Sequence, residues 1–196
     1  MSAKQNDTDT SADAHPASIF SLTNHEIWVL TAHHEGRDNG QVATWIMPAT
    51  LVPDRPRIVA VLSPQNLTHD LIALSGRFVL NLLAEDQADL LPHFGLASGR
   101  QVDKFAGDEP RRSPEGIPVL DGCCGWAECR IVSSLDIGDR IVYVADILAQ
   151  EIHPGMTPLR KKEAFAAQPQ DVRRQLEEKH RVDGERDRIF IKTFTD

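Results

Sequence analysis

Apolar residues in this chain arrive in short runs rather than in long helical stripes. Ile27, Trp28, Val29 and Leu30 form the first run, dense in β-formers, and predict a strand over residues 24–33. A polar turn follows at residues 34–40, with Asn39-Gly40 as a hairpin signal. Residues 41–51 return as a second strand, in which Pro48 demands an edge position, a bulge or a bend. Residues 57–62 are nearly all apolar and predict a strand buried on both faces. Residues 67–75 predict a short helix packed through Leu71, Ile72 and Leu74 and stopped at Gly76. Residues 77–83 are a strand, and residues 85–94 a helix that Pro92 ends early. After a long polar excursion over residues 95–116, two further strands (125–135 and 140–151) flank a turn at 136–139. The pattern then changes to a weakly amphipathic helical composition over residues 158–180, divided at Pro169, and residues 188–194 are a final strand or a docking tail. Six or more strands joined mostly by tight turns imply a mainly β fold, an antiparallel β-barrel with accessory α-helices.

Composition narrows the function classes. The 196 residues are 41% hydrophobic and 26% charged, enough for one domain with a real core. Residues 1–17, polar and poor in large apolar groups, are expected to be a disordered tail without the apolar segment of a secretory signal. The net charge of −8 makes nucleic acid a poor partner. No apolar run approaches the roughly 20 residues of a membrane span. Three cysteines, two of them adjacent, give neither a disulfide framework nor zinc spacing. A reduced, cytoplasmic protein is the expectation. The histidines show no metal pattern, and no P-loop, nucleophile elbow or Rossmann glycine fingerprint is present.

Candidate chemistry concentrates in residues 41–69, two strand-like segments bearing hydroxyls and ending in a polar cluster that opens a helix. Ser63, Asn66, Thr68 and His69 can all donate hydrogen bonds near that helix start, and a helix N-terminus favours a phosphate. A capped helix, with Asn66 or Thr68 bonding a free amide, accounts for the same residues without any ligand. In residues 44–50 alternation puts Thr44 and Ile46 on one face and Trp45 and Met47 on the other. The plain expectation is Trp45 in the core; the functional one is a bend at Pro48 that frees main-chain groups for the edge of a planar heterocycle. Asp103-Lys104-Phe105 reads as a solvated loop anchored by Phe105.

Taken in order, six short segments resemble the flavin reductase-like family with the FMN-binding split barrel, over about residues 27–151. They are Ala43-Thr-Trp-Ile-Met-Pro-Ala-Thr50, Arg57-Ile-Val-Ala-Val-Leu-Ser63, Asn66-Leu-Thr-His-Asp-Leu-Ile72, Gly76-Arg-Phe-Val-Leu-Asn81, Asp103-Lys-Phe105, and Leu120-Asp-Gly with Glu128-Cys-Arg130. The resemblance implies a homodimeric split barrel spanning residues 18–155; residues 156–196 are expected as a helical C-terminal extension that goes beyond this core. It implies that Thr44, Trp45, Ala49, Thr50 and Leu51 lie along the flavin ring and ribityl chain, and that Ser63, Asn66, Thr68 and His69 take the ribityl and phosphate end. Lys104 and Phe105 would approach from a loop, across the dimer. FMN, with FAD as the alternative flavin, would be reduced by NAD(P)H and could be passed to a partner monooxygenase; an FMN-binding electron carrier or sensor is the competing class. Two positions depart from the family pattern. Gly138-Asp139-Arg140 stands where many relatives carry Gly-Asp-His, whose His lies near the nicotinamide, and Asp146 stands where Gly is frequent. Arg140 is expected to pair with Asp139 or Asp136, or else with a nucleotide phosphate.

Overall fold

The computed structural model describes residues 18–107 and 109–193, so the expected tail over residues 1–17 lies outside the described residues. After a 3-10 turn at Ile19–Leu22 come β1 (Trp28–His34), β2 (Arg37–Ala43), β3 (Ile46–Pro48), β4 (Arg57–Leu62), α1 (Leu67–Ser75) and β5 (Arg77–Leu82). Then follow α2 (Leu90–Gly95), the two-residue strands β6 (Arg111–Arg112) and β7 (Pro118–Val119), the long strands β8 (Gly125–Asp136) and β9 (Ile141–Ile152), α3 (Lys161–Ala166) and α4 (Gln170–Asp187).

Seven strands form one antiparallel sheet in the order β2-β1-β5-β8-β9-β4-β3. Its two edges are consecutive in the chain, since only Thr44 and Trp45 separate Ala43 of β2 from Ile46 of β3. Laid flat, seven strands would hold those edges about 29 Å apart. Three residue steps reach only about 10 Å. The sheet must therefore roll until its edges nearly meet, and among the described residues no ladder joins β2 to β3. A split, mainly β barrel follows from connectivity alone. The single strand expected over residues 41–51 is thus two strands on opposite edges, divided at the seam by Thr44 and Trp45.

The barrel interior packs Leu30, Phe78, Leu80 and Tyr143 against Leu67, Leu71 and Ile72 of α1. Gly76 ends α1 in the left-handed conformation (φ 69°), where a side chain would be strained. A second core lies outside the barrel, where Ile27, Val29 and Leu83 meet Leu91, Phe94, Phe105 and Leu159. Here the sequence expectation needs correction: α2 begins at Leu90, and Pro92 does not end it. Glu85 and Asp86 lie upstream of it, where the Gln87 side chain accepts the Ala84 amide and closes a turn (3.0 Å). Pro92 falls in the first turn of α2, where its missing N–H would have no helical partner anyway. The chain after β9 is stitched to the second core by main-chain bonds, Ile27 N to Leu159 O (2.8 Å) and Leu159 N to Leu83 O (2.9 Å). No helix among the described residues is long and apolar enough to cross a membrane.

Candidate functional site

Register brings the first half of the candidate site together. The Val61 amide donates to the Trp45 carbonyl (3.1 Å), and Leu62 at the end of β4 pairs with Ile141. Thr44, Trp45, Ser63 and the β8–β9 hairpin tip (136–140) therefore share one end of the barrel. At the opposite end of β4, the Ala49 amide donates to Arg57 O (2.8 Å) and carries Thr50 and Leu51 with it. Thr50 Oγ1 accepts the Val52 amide (3.1 Å), and Leu51 is fully exposed. Six residues of β4 separate the two ends by about 20 Å.

The helix start behaves differently from a capped helix. Asn66 has N-cap geometry (φ −89°, ψ 141°), yet its side chain makes no capping hydrogen bond. The Ser63 hydroxyl accepts the Gln65 amide (3.3 Å) instead. Thr68 is fully buried and accepts from Asn39 Nδ2 (3.0 Å), so it faces the barrel rather than the surface. The amides of Leu67 and Thr68 have no acceptor among the described hydrogen bonds, as is normal for a first helical turn. His69 Nδ1 is buried without a partner; the nearest carboxylate oxygen, on Asp70, is 3.7 Å away. Burial holds the His69 imidazole below its ordinary pKa, with Asp70 and Asp136 opposing. The ring is therefore neutral near pH 7 and able to donate one N–H. Gln41 points inward beside Leu30 and also buries an unpartnered oxygen, Oε1. Native proteins rarely leave buried polar atoms unpaired. A group that places an acceptor oxygen beside His69 fits its free N–H, whereas Gln41 Oε1 calls for a donor.

Trp45 is half exposed rather than in the core; Ile46 takes the inward direction and packs on the interior cluster. Because Ile46, Ala60 and Tyr143 face inward, the alternate positions of β3, β4, β9 and β8 face out. Trp45, Met47, Val61, Val144 and Leu135 make that outer face apolar, with Met47 60% exposed. Arg140 lies over the Trp45 ring at 5.6 Å. It pairs with Asp139 (3.4 Å), as the sequence suggests, and with Asp187 of the C-terminal extension (2.6 Å), which it does not.

Lys104 and Phe105 are not part of this constellation within one copy. Lys104 Nζ donates to Gly40 O (2.8 Å) and Phe94 O (2.9 Å), and Phe105 belongs to the second core. Burial, with Lys179 adding repulsion, pulls the Lys104 ammonium down to about 8. The three cysteines are buried and free, and burial pushes the Cys123 and Cys129 thiols up to about 12. Among the described residues no cluster of three His, Cys, Asp or Glu side chains could hold a metal. No local pattern marks Gln41 or Asp187 as functional, Asn39 carries only a turn signal, and nothing near Asp187 points to its partner 47 positions away.

With this geometry in view, comparison with known proteins is specific. Residues 20–162 match the flavin reductase like domain, and the chain belongs to that family. It is 33% identical over 132 residues to a high molecular weight rubredoxin from Moorella thermoacetica, covering 66% of this chain and 56% of that one. It is 29% identical over 132 residues to HsaB of Mycobacterium tuberculosis, the reductase subunit of a flavin-dependent monooxygenase, covering 67% and 68%. This chain thus spans little more than half the length of the first of these relatives. An FMN-binding protein from Thermus thermophilus superimposes with a TM-score of 0.65 at 24% identity, over 79% of this chain and 82% of that one, which identifies the shared split-barrel fold.

Proposed function

We propose that this chain binds FMN along β3 and the start of α1, and that it is an NAD(P)H-dependent flavin reductase working as a homodimer, able to pass reduced flavin to an acceptor such as a monooxygenase. The observation that carries this reading is the α1 start, where open amides, an uncommitted Asn66 and the unpartnered His69 Nδ1 meet in a member of the flavin reductase like family. FAD is accommodated by the same reading only if its adenylate lies beyond the α1 end.

When bound, the flavin supplies the two-electron chemistry. The Leu67 and Thr68 amides, with Ser63, Asn66 and His69, would hold the phosphate through charge-assisted hydrogen bonds. Thr44 and Trp45 would flank the ribityl chain, and main-chain groups of Ala49, Thr50 and Leu51 would meet the ring edge. The apolar outer face around Trp45 and Met47 would exclude water and, as an exposed apolar patch, suits a second copy of the chain. Lys104 and Phe105 would then act through the loop they anchor, or from that second copy. The name of the Mycobacterium relative, a reductase subunit of a flavin-dependent monooxygenase, supports an oxygenase as the acceptor.

The test is direct. Purified protein should bind FMN and turn yellow, and anaerobic NADH or NADPH should then abolish the visible flavin absorbance. Failure to bind FMN, together with failure to catalyse its reduction when FMN is in excess, overturns the proposal. The carrier reading is favoured by one observation, the Arg140–Asp187 pair occupying the hairpin tip. It predicts a yellow protein that dithionite reduces and neither nucleotide does.

A further inference from the structure

The last described residues come back to the mouth of the candidate site. Of the 18 residues of α4, Leu176 packs partly on the second core and only Asp187 is buried. Past α4 the chain presses on the β8–β9 hairpin tip. The Lys192 amide donates to Ile137 O (3.1 Å), and Lys192 Nζ to Asp136 (2.6 Å). The Phe190 carbonyl lies so close to Gly138 that a Cβ there would overlap it, and Gly138 has φ 98°. The hairpin tip thus has a glycine where this segment rests.

Arg140 ties the segment to the site. The same guanidinium lies over Trp45 and donates to Asp187, whose carboxylate also takes Arg186 (2.8 Å). Burial alone would raise the Asp187 carboxyl, but Arg140 and Arg186 together hold it below the usual carboxylate range, so it is charged at neutral pH. Both side chains are largely covered, at 21% and 5% exposure, and salt screens such a pair weakly. A guanidinium is shaped to receive phosphate oxygens, and here a carboxylate of the same chain holds that place. Ile189, Phe190 and Ile191 at the tip are exposed, so lifting them forfeits little apolar burial.

We propose that Asp187 is an internal anion occupying Arg140, and that a phosphate of an incoming ligand displaces it and lifts residues 188–193 off the hairpin tip. This rests on the flavin-site reading above. The displacing group is a phosphate monoester or diphosphate, from the flavin mononucleotide or from the nicotinamide dinucleotide.

The experiment uses full-length wild type, Asp187→Asn, and Phe190→Ala, which loosens the segment without touching the ion pair. Affinities for FMN and riboflavin, KM for NADH and hydrogen exchange at the Lys192 amide are measured for each. If the flavin phosphate is the displacing group, Asp187→Asn tightens FMN three- to tenfold and leaves riboflavin within twofold. If the dinucleotide is, FMN affinity holds and KM for NADH falls by that factor. Either gain disappears in an Arg140→Ala background, and Phe190→Ala shows the same pattern more weakly should Asp187→Asn fail to fold. Unchanged FMN, riboflavin and NADH parameters, with exchange at Lys192 accelerated, overturn the proposal. Absence of FMN and riboflavin binding in wild type defeats the flavin reading instead. In that case inorganic pyrophosphate is the probe: faster Lys192 exchange on its addition supports displacement, and unchanged exchange overturns it.

Discussion

The outer face of β1 and the end of the barrel near α1 contain similar residue types and treat them in opposite ways. Behind β1, Asn81 and Lys104 are each committed to partners within the chain. Asn81 Nδ2 donates to Val29 O (3.1 Å) and Thr31 Oγ1 (3.3 Å), while its Oδ1 accepts the Leu120 amide (2.9 Å). Lys104 spends its ammonium on two carbonyls of the fold. At the other region Gln41 Oε1 and His69 Nδ1 are buried and unpaired, Asn66 leaves its cap bond unmade, and Trp45 and Met47 stand exposed. Polar groups that complete each other specify structure; groups left incomplete beside an exposed apolar face are poised for something else.

Three measurements would break or sharpen that contrast. The largest effect is expected at Lys104. Its folded-state pKa of about 8 lies below its ordinary 10.5. Between those values the unfolded chain holds a proton that the folded chain has released, so stability rises with pH across this window. The rise should reach about 3 kcal/mol between pH 7 and 10.5 and be missing in Lys104→Met, as read by urea unfolding at both pH values. Parallel pH profiles for the two proteins would show that the ammonium is not confined as its geometry indicates. Next, Asn81→Ala leaves a buried amide and a carbonyl unpaired, and should cost about 2 kcal/mol, a drop of roughly 4–8 °C in Tm, with FMN affinity of the folded protein unchanged. The smallest effect on the fold belongs to the mouth. His69→Leu should shift stability by no more than about 0.5 kcal/mol, while weakening FMN about tenfold, or about 1.4 kcal/mol, in a fluorescence titration. Should His69→Leu destabilise the protein as much as Asn81→Ala, the two regions are not different in kind.

Local patterning made much of this molecule legible. The β-rich runs at residues 27–30 and 57–62 mark strands β1 and β4, though β4 buries only Ile58, Ala60 and Leu62 and turns Val59 and Val61 outward rather than being buried on both faces. Residues 67–75 are α1, and Gly76 stops it. The polar cluster from Ser63 to His69 does stand at a helix start. Less legible was where each member points. Thr68 turns inward because Asn39, 29 positions earlier, takes its hydroxyl, and Trp45 turns outward because Ile46 fills the interior. Lys104 and Phe105 share a short motif with no periodicity, so only packing could assign them to the second core.

The sequence by itself determined the element types, the antiparallel β architecture and the family, because these depend on alternation, turn chemistry and short ordered motifs along the chain. Only the tertiary structure decided that residues 41–51 divide between opposite edges of a rolled sheet. It alone joined Arg140 to Asp187 and left His69 without a partner. Those outcomes rest on contacts between distant positions, whose cost and gain depend on what the fold brings within a few ångströms, and no local pattern carries that information.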